Sequence, residues 1–229
     1  MQVITKPFLM PFILVGLLFP LWGFANDITN PLVAAFKNIL LISHFESALV
    51  QFAFYGGYCL MAIPAAIFIK RFNYKQAILM GLALYSIGCF LFIPAGKMMV
   101  FEAFLVAYFI MTCGLSFLET SANPYILSMG DESTATQRLN FAQAFNPLGS
   151  LMGMFVAKEF ILAQLNPASE TSRLELAQND PDAFSQIQQN DLNVIVDPYL
   201  ILGIVVGVVF FIFLFSKLPG SNSSDESKL

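Results

Sequence analysis

Charge is scarce in this chain. Of its 229 residues only 11% are charged, while 57% are hydrophobic. A soluble domain carries about a quarter charged residues. No cluster of Lys and Arg is present, so a nucleic-acid partner is not expected. The net charge of −4 says little more, because most charges lie between apolar runs. Cysteine is sparse as well. Cys59, Cys89 and Cys113 are odd in number, have no metal-ligand spacing and fall inside apolar runs. They read as small buried apolar residues. The single histidine, His44, sits in a polar connection and reads as solvated. No metal site and no cofactor is expected. Strands of alternating polarity are missing, which argues against a membrane β-barrel.

Long apolar runs dominate what is present. Several reach about 20 residues, enough to cross ~30 Å of hydrocarbon as a helix. Six spans are expected: Phe8–Phe36, Ser47–Ile69, Gln76–Pro94, Val100–Met129, Leu139–Leu162 and Pro198–Phe215. Residues 1–217 then form one all-α bundle of six transmembrane helices in a lipid bilayer, and residues 218–229 a polar linker or tail. The first span follows Lys6 like a signal peptide. It is longer than a signal core and runs on into polar residues, so it reads as an uncleaved helix. Between spans 5 and 6 lies an acidic stretch, Ala163–Asp197, that reads as a loop. Counting Lys and Arg by side sets Lys6, Lys70, Arg71, Lys75, Arg138, Lys217 and Lys228 against Lys37, Lys97, Lys158 and Arg173. The excess predicts cytoplasmic N- and C-termini.

Two stretches interrupt the apolar runs in a similar way. Span 4 carries Glu119-Thr120-Ser121-Ala122-Asn123-Pro124, and span 1 carries Asn26-Asp27-Ile28-Thr29-Asn30-Pro31. Each reads acid, small polar residues, Asn, Pro. The echo predicts that spans 1–3 and 4–6 are halves of an inverted 3+3 repeat. An acid inside a membrane span is costly and marks a functional site. Glu119 and Asn123 share one helical face, as do Asp27 and Asn30. A protonated carboxyl can both carry a proton and donate a hydrogen bond, so Glu119 and Asp27 are the proton-coupling candidates. Asn140, Gln143 and Asn146 repeat every three residues in span 5. Of these, Gln143 and Asn146 are candidates for solute contact, with Asn26, Asn30 and Asn123. Trp22, the only tryptophan, lies about one turn before Asp27 and suits either stacking on a solute or packing.

The blocks Leu21-Trp22-Gly23-Phe24-Ala25-Asn26-Asp27, Phe54-Tyr55-Gly56-Gly57-Tyr58, Leu118-Glu119-Thr120-Ser121-Ala122-Asn123-Pro124 and Asn140-Phe141-Ala142-Gln143-Ala144-Phe145-Asn146 closely resemble L-fucose:proton symporters. These belong to the fucose–galactose–glucose branch of the major facilitator superfamily. The resemblance implies alternating access between two six-helix bundles around a central sugar site. It implies proton coupling at Glu119 and a sugar cavity lined by Gln143 and Asn146. It also implies a bacterial inner membrane. One departure concerns span 1, where those symporters carry their acid at the position of Asn30. A second is length: six spans are present where the family has twelve, so a C-terminal half is expected as partner. The expected function is proton-coupled uptake of L-fucose or a related hexose, with no enzymatic activity. Alternatives are another sugar transporter, a sugar-binding half that does not transport, and an intramembrane enzyme using Asp27 and Glu119 as a carboxylate pair.

Overall fold

A computed structural model describes residues 3–219. Most of the expected tail lies outside the described residues. Among those described, helices dominate and no strand occurs. Four expected spans are long helices, the first three extending a few residues beyond their apolar runs and the fourth lying just inside its own. They are α1 (Lys6–Leu40), α2 (His44–Arg71), α3 (Tyr74–Met98) and α4 (Phe101–Leu127). Helix starts follow local chemistry. At α2, Ser43 accepts from the Glu46 backbone N–H while the Glu46 carboxylate accepts from the Ser43 N–H, a reciprocal cap. At α3, Asn73 caps the Gln76 N–H. Regular helix is interrupted within α1 at Leu17 and at Asn30-Pro31. Pro124, by contrast, leaves α4 continuous.

Span 5 differs from the expected unbroken helix. It is split into α5 (Ala135–Gln143) and α6 (Asn146–Val156), then ends in a π turn, Ala157–Ile161, and a short 3-10 turn. The cause is Asn146-Pro147: proline restricts the residue before it and supplies no N–H, so the helix restarts with Pro147 in its first turn. The stretch Ala163–Asp197 is corrected outright. It holds α7 (Glu170–Asn179), and α8 (Pro181–Phe215) begins far upstream of the expected sixth span. Ser169 caps α7, and Asp180, followed by Pro181, caps α8. Hydropathy saw only the apolar end of α8, and polarity was read as loop.

Packing brings α1 against α6, α2 against α4, and α3 against both α4 and α8. Exchanging spans 1, 2 and 3 with 4, 5 and 6 maps the α1–α6 contact onto α4–α2, and α3–α8 onto itself. That fits the inverted repeat. The broad α3–α4 contact has no equally broad counterpart between α8 and α1. Close approach of α1 and α6 depends on the Gly149-xxx-Gly153 pair. A Cβ on Gly149 would collide with the Pro20 carbonyl, and one on Gly153 would lie 2.7 Å from the Phe24 oxygen. Small residues serve such interfaces because lipid supplies no hydrophobic force between helices.

The two ends of the bundle are fastened differently. At one end Arg138, fully buried, donates to the carbonyls of Ile126, Leu127 and Asp131 and to Thr134 Oγ1. It thereby closes the C-terminal end of α4, whose last carbonyls have no partners within the helix. Lys75 donates to the Leu214 and Ser216 carbonyls at the same end. The opposite end is held by α7 and the start of α8. There Arg173 and Asp191 form a buried ion pair, Lys37 pairs with Glu170, and Gln188 donates to the Ile39 carbonyl. Asp131, beside the Arg138 end, is held below the usual carboxylate range by hydrogen bonds from Ser133.

Candidate functional site

The middle of the bundle holds an open concavity on one side, and Glu119 is its common wall. One recess, of about 350 Å³, is lined by Trp22, Gly23 and Asn26 of α1, by Phe54, Tyr55 and Tyr58 of α2, and by Glu119, Asn146 and Ser150. A second, of about 290 Å³, is bounded by Phe19, Trp22, Glu119, Asn123, Gln143, Asn146 and Pro147. A third, of about 700 Å³, runs between α2 and α4 past Tyr55, Tyr58, Ser116, Glu119, Thr120 and Asn123. Small-molecule sites typically occupy ~300–1,000 Å³.

Each polar side chain has a reason to be where it is. Glu119 and Asn123 follow one turn apart on α4, so both face the concavity. Gln143 Nε2 donates to Asn123 Oδ1 at 3.4 Å, a long contact that joins α5 to α4. Asn146 Nδ2 donates to the Phe19 carbonyl at 3.3 Å, which seats the first residue of α6 against α1. Trp22 is only 7% exposed. Its Nε1 donates to the Leu115 carbonyl at 3.3 Å, and its ring stands edge-on to Phe19. Trp22 therefore packs and lines the wall at once. Glu119 is exposed to the concavity and, among the described residues, makes no hydrogen bond or ion pair.

The concavity thus gathers Glu119, Asn123, Gln143, Asn146, Asn26 and Trp22. Asp27 lines none of the three recesses. Half-buried on the next face of α1, it accepts from Asn30 Nδ2 at 3.3 Å, and Asn30 accepts from Gln51 Nε2 at 2.9 Å. Asn140 is exposed at the Arg138 end and lines none of the three recesses either. Tyr55, Tyr58 and Ser150 were not singled out from sequence. A signal was available. Tyr55 and Tyr58 are three apart in an otherwise apolar run, and Ser150 continues the span 5 stripe one turn beyond Asn146. Of the cysteines, Cys89 and Cys113 are buried as expected, whereas Cys59 is exposed beside the third recess.

The arrangement offers one carboxyl, four amides and several hydroxyls around an opening walled by aromatic rings. Amides and hydroxyls both donate and accept, which suits a neutral polyhydroxylated solute. A carboxyl with no partner is free to gain and lose a proton.

Comparison with known proteins agrees with this geometry. The chain is 54% identical to the L-fucose-proton symporter of Haemophilus influenzae, over 100% of this chain and 54% of that protein. It is 34% identical to the glucose/galactose transporter of Brucella abortus, over 89% of this chain and 45% of that one. The crystal structure of the E. coli fucose:proton symporter FucP superposes with a TM-score of 0.79 at 34% identity, covering 93% of this chain and 50% of that chain. The chain spans about half the length of these relatives. The sequence profile of the Major Facilitator Superfamily matches residues 12–228. From its fold, its concavity and that match, this chain belongs to the Major Facilitator Superfamily.

Proposed function

We propose that this chain forms the N-terminal six-helix half of a proton-coupled sugar permease that takes up L-fucose or a related hexose by alternating access. The observation that carries the reading is the position of Glu119. It is a membrane carboxyl with no ion pair, set on the wall shared by all three recesses and surrounded by Asn26, Asn123, Gln143 and Asn146. In this reading the amides exchange hydrogen bonds with sugar hydroxyls, while Trp22 and the tyrosines supply an apolar wall. Glu119 takes a proton from one side of the membrane and releases it to the other. Asp27 and Asn30 form a second polar group, on α1. A C-terminal half of like architecture closes the site. The end holding Arg138 and Lys75 lies in the cytoplasm of a bacterial inner membrane, with both termini there.

The test is uptake. Cells that lack hexose uptake, expressing the gene that encodes this chain, should accumulate labelled L-fucose, galactose or glucose against a gradient. A protonophore should abolish the accumulation. Accumulation that survives the protonophore would remove the proton, and absence of any sugar flux would remove the permease. A half that binds sugar without transporting it is the second reading. It is favoured by the open, one-sided concavity and would show as saturable sugar binding with no flux in liposomes.

A further inference from the structure

Gln51 has no part in the reading above, yet the geometry gives it one. α1 and α2 run antiparallel, so one turn along each, away from the concavity, leads to the same place. On α1 that step goes from Asn26 to Asn30, and on α2 from Tyr55 back to Gln51. A turn of helix rises ~5.4 Å. There Gln51 Nε2 donates to Asn30 Oδ1 at 2.9 Å, and Asn30 Nδ2 donates to Asp27 Oδ1 at 3.3 Å.

The sense of this chain follows from chemistry. An ionised carboxylate only accepts, so Asn30 must turn its amide nitrogen to Asp27 and its oxygen to Gln51. Gln51 must then present nitrogen rather than oxygen. Among the described residues, Asp27 Oδ2 and Gln51 Oε1 accept no hydrogen bond. Each amide also keeps a second N–H. Asn30 is exposed, while Asp27 and Gln51 are half-buried. The cluster therefore sets two spare acceptors and two spare donors close together, and neighbouring hydroxyls of a sugar need both.

Resting on the sugar-permease reading, we propose that Asp27, Asn30 and Gln51 form a second hydroxyl-binding subsite one helical turn from the Glu119 concavity. Gln51 is its positioning residue. It fixes the Asn30 amide, and the amide fixes which carboxylate oxygen of Asp27 is left for ligand. The subsite holds a sugar at the approach to the main cavity.

Gln51→Glu tests this with almost no change of shape. A carboxylate at position 51 only accepts, so it competes with Asp27 for the Asn30 nitrogen and the ordered run from position 51 to Asp27 is lost. Gln51→Leu removes the donor altogether. In vesicles from cells expressing the gene, sugar exchange at equal concentrations on both sides should show a half-saturating concentration raised about tenfold for both variants. The maximal rate should stay within about twofold, since position 51 lines none of the three recesses around Glu119. Half-saturation unchanged in Gln51→Glu would overturn the assignment. So would a fall in maximal rate alone, which marks a packing role. If the unmodified protein shows no sugar exchange, the permease reading itself fails. If it exchanges sugar and the variants match it, only the Gln51 assignment fails.

Discussion

The two acid–Asn–Pro stretches look alike in sequence and differ in space. On α4, Glu119 and Asn123 lie on one unbroken helix, and among the described residues Glu119 stands without a hydrogen bond or ion pair on an open wall. On α1, Asp27 is tied to Asn30, Asn30 to Gln51, and the helix is interrupted at Asn30-Pro31. A carboxyl inside a hydrogen-bonded run is committed to an arrangement of neighbours. The same local motif therefore sets a carboxyl without partners among the described residues on one helix and a hydrogen-bonded acceptor on the other. Two further acids extend the scale. Asp191 is locked in a buried pair with Arg173, and Glu170 is half-exposed beside Lys37.

The largest expected effect comes from the carboxyl with the fewest partners. Glu119→Gln should remove the whole proton-driven sugar gradient while sugar exchange continues. Thermal stability should change by less than ~0.5 kcal/mol, because an exposed group without partners leaves nothing unsatisfied. Uptake and counterflow measured side by side check both halves of this. A variant that still accumulates sugar would break the distinction between the two stretches.

Asp191→Ala should behave in the opposite way. It leaves Arg173 buried and unpaired, which costs ~3–5 kcal/mol. It also frees the Asn166 N–H that Asp191 Oδ1 accepts at 2.8 Å. Thermal unfolding in detergent should reveal the loss, while the half-saturating sugar concentration of the folded fraction stays unchanged. A shifted sugar affinity would mean that the α7 end communicates with the concavity.

Asp27→Asn falls between. The amide still accepts from Asn30 but without charge, so sugar affinity should drop about three- to tenfold with part of the accumulation retained. Complete loss of accumulation would make Asp27 the equal of Glu119 and erase the contrast.

Much of this contrast was legible in the sequence, and the limits are physical. The apolar runs gave five of the six crossings within a few residues, because hydrocarbon thickness dictates their length. Membrane acids and amides stand out against such a background, so Glu119, Asn123, Gln143 and Asn146 were visible as a set. Which neighbour of a charged residue meets the cavity was not visible. Asn26 lines it and Asp27 does not, yet they are adjacent, and ~100° of helix rotation separates them. That choice depends on where α2 and α6 lie, which is long-range information. Gln51, Tyr55 and Tyr58 escaped for the same reason: their partners are on other helices. The α7–α8 end escaped for a different one. Its start signals, Ser169 and Asp180-Pro181, are present in the sequence but were outweighed by polarity.

Glu170 gives the smallest effect and the cleanest sign. Its carboxyl is held below the usual range chiefly by the hydrogen bond from Lys37. A carboxylate whose value is lowered on folding stabilises the fold in full above its unfolded value, about 4.3. The contribution fades as pH falls through the lower folded value. Glu170→Gln should therefore lower the unfolding temperature slightly at neutral pH, and the difference from the unmodified protein should fade as pH falls below the usual carboxylate range. Salt should diminish it too, since a half-exposed pair is screened. Sugar uptake should not change, because the pair joins α7 to the end of α1, beyond the Asn30-Pro31 interruption. If uptake did fall with Glu170→Gln, the segment of α1 beyond that interruption would move with the transport cycle. The contrast would then lie between the two parts of α1 rather than between α1 and α4.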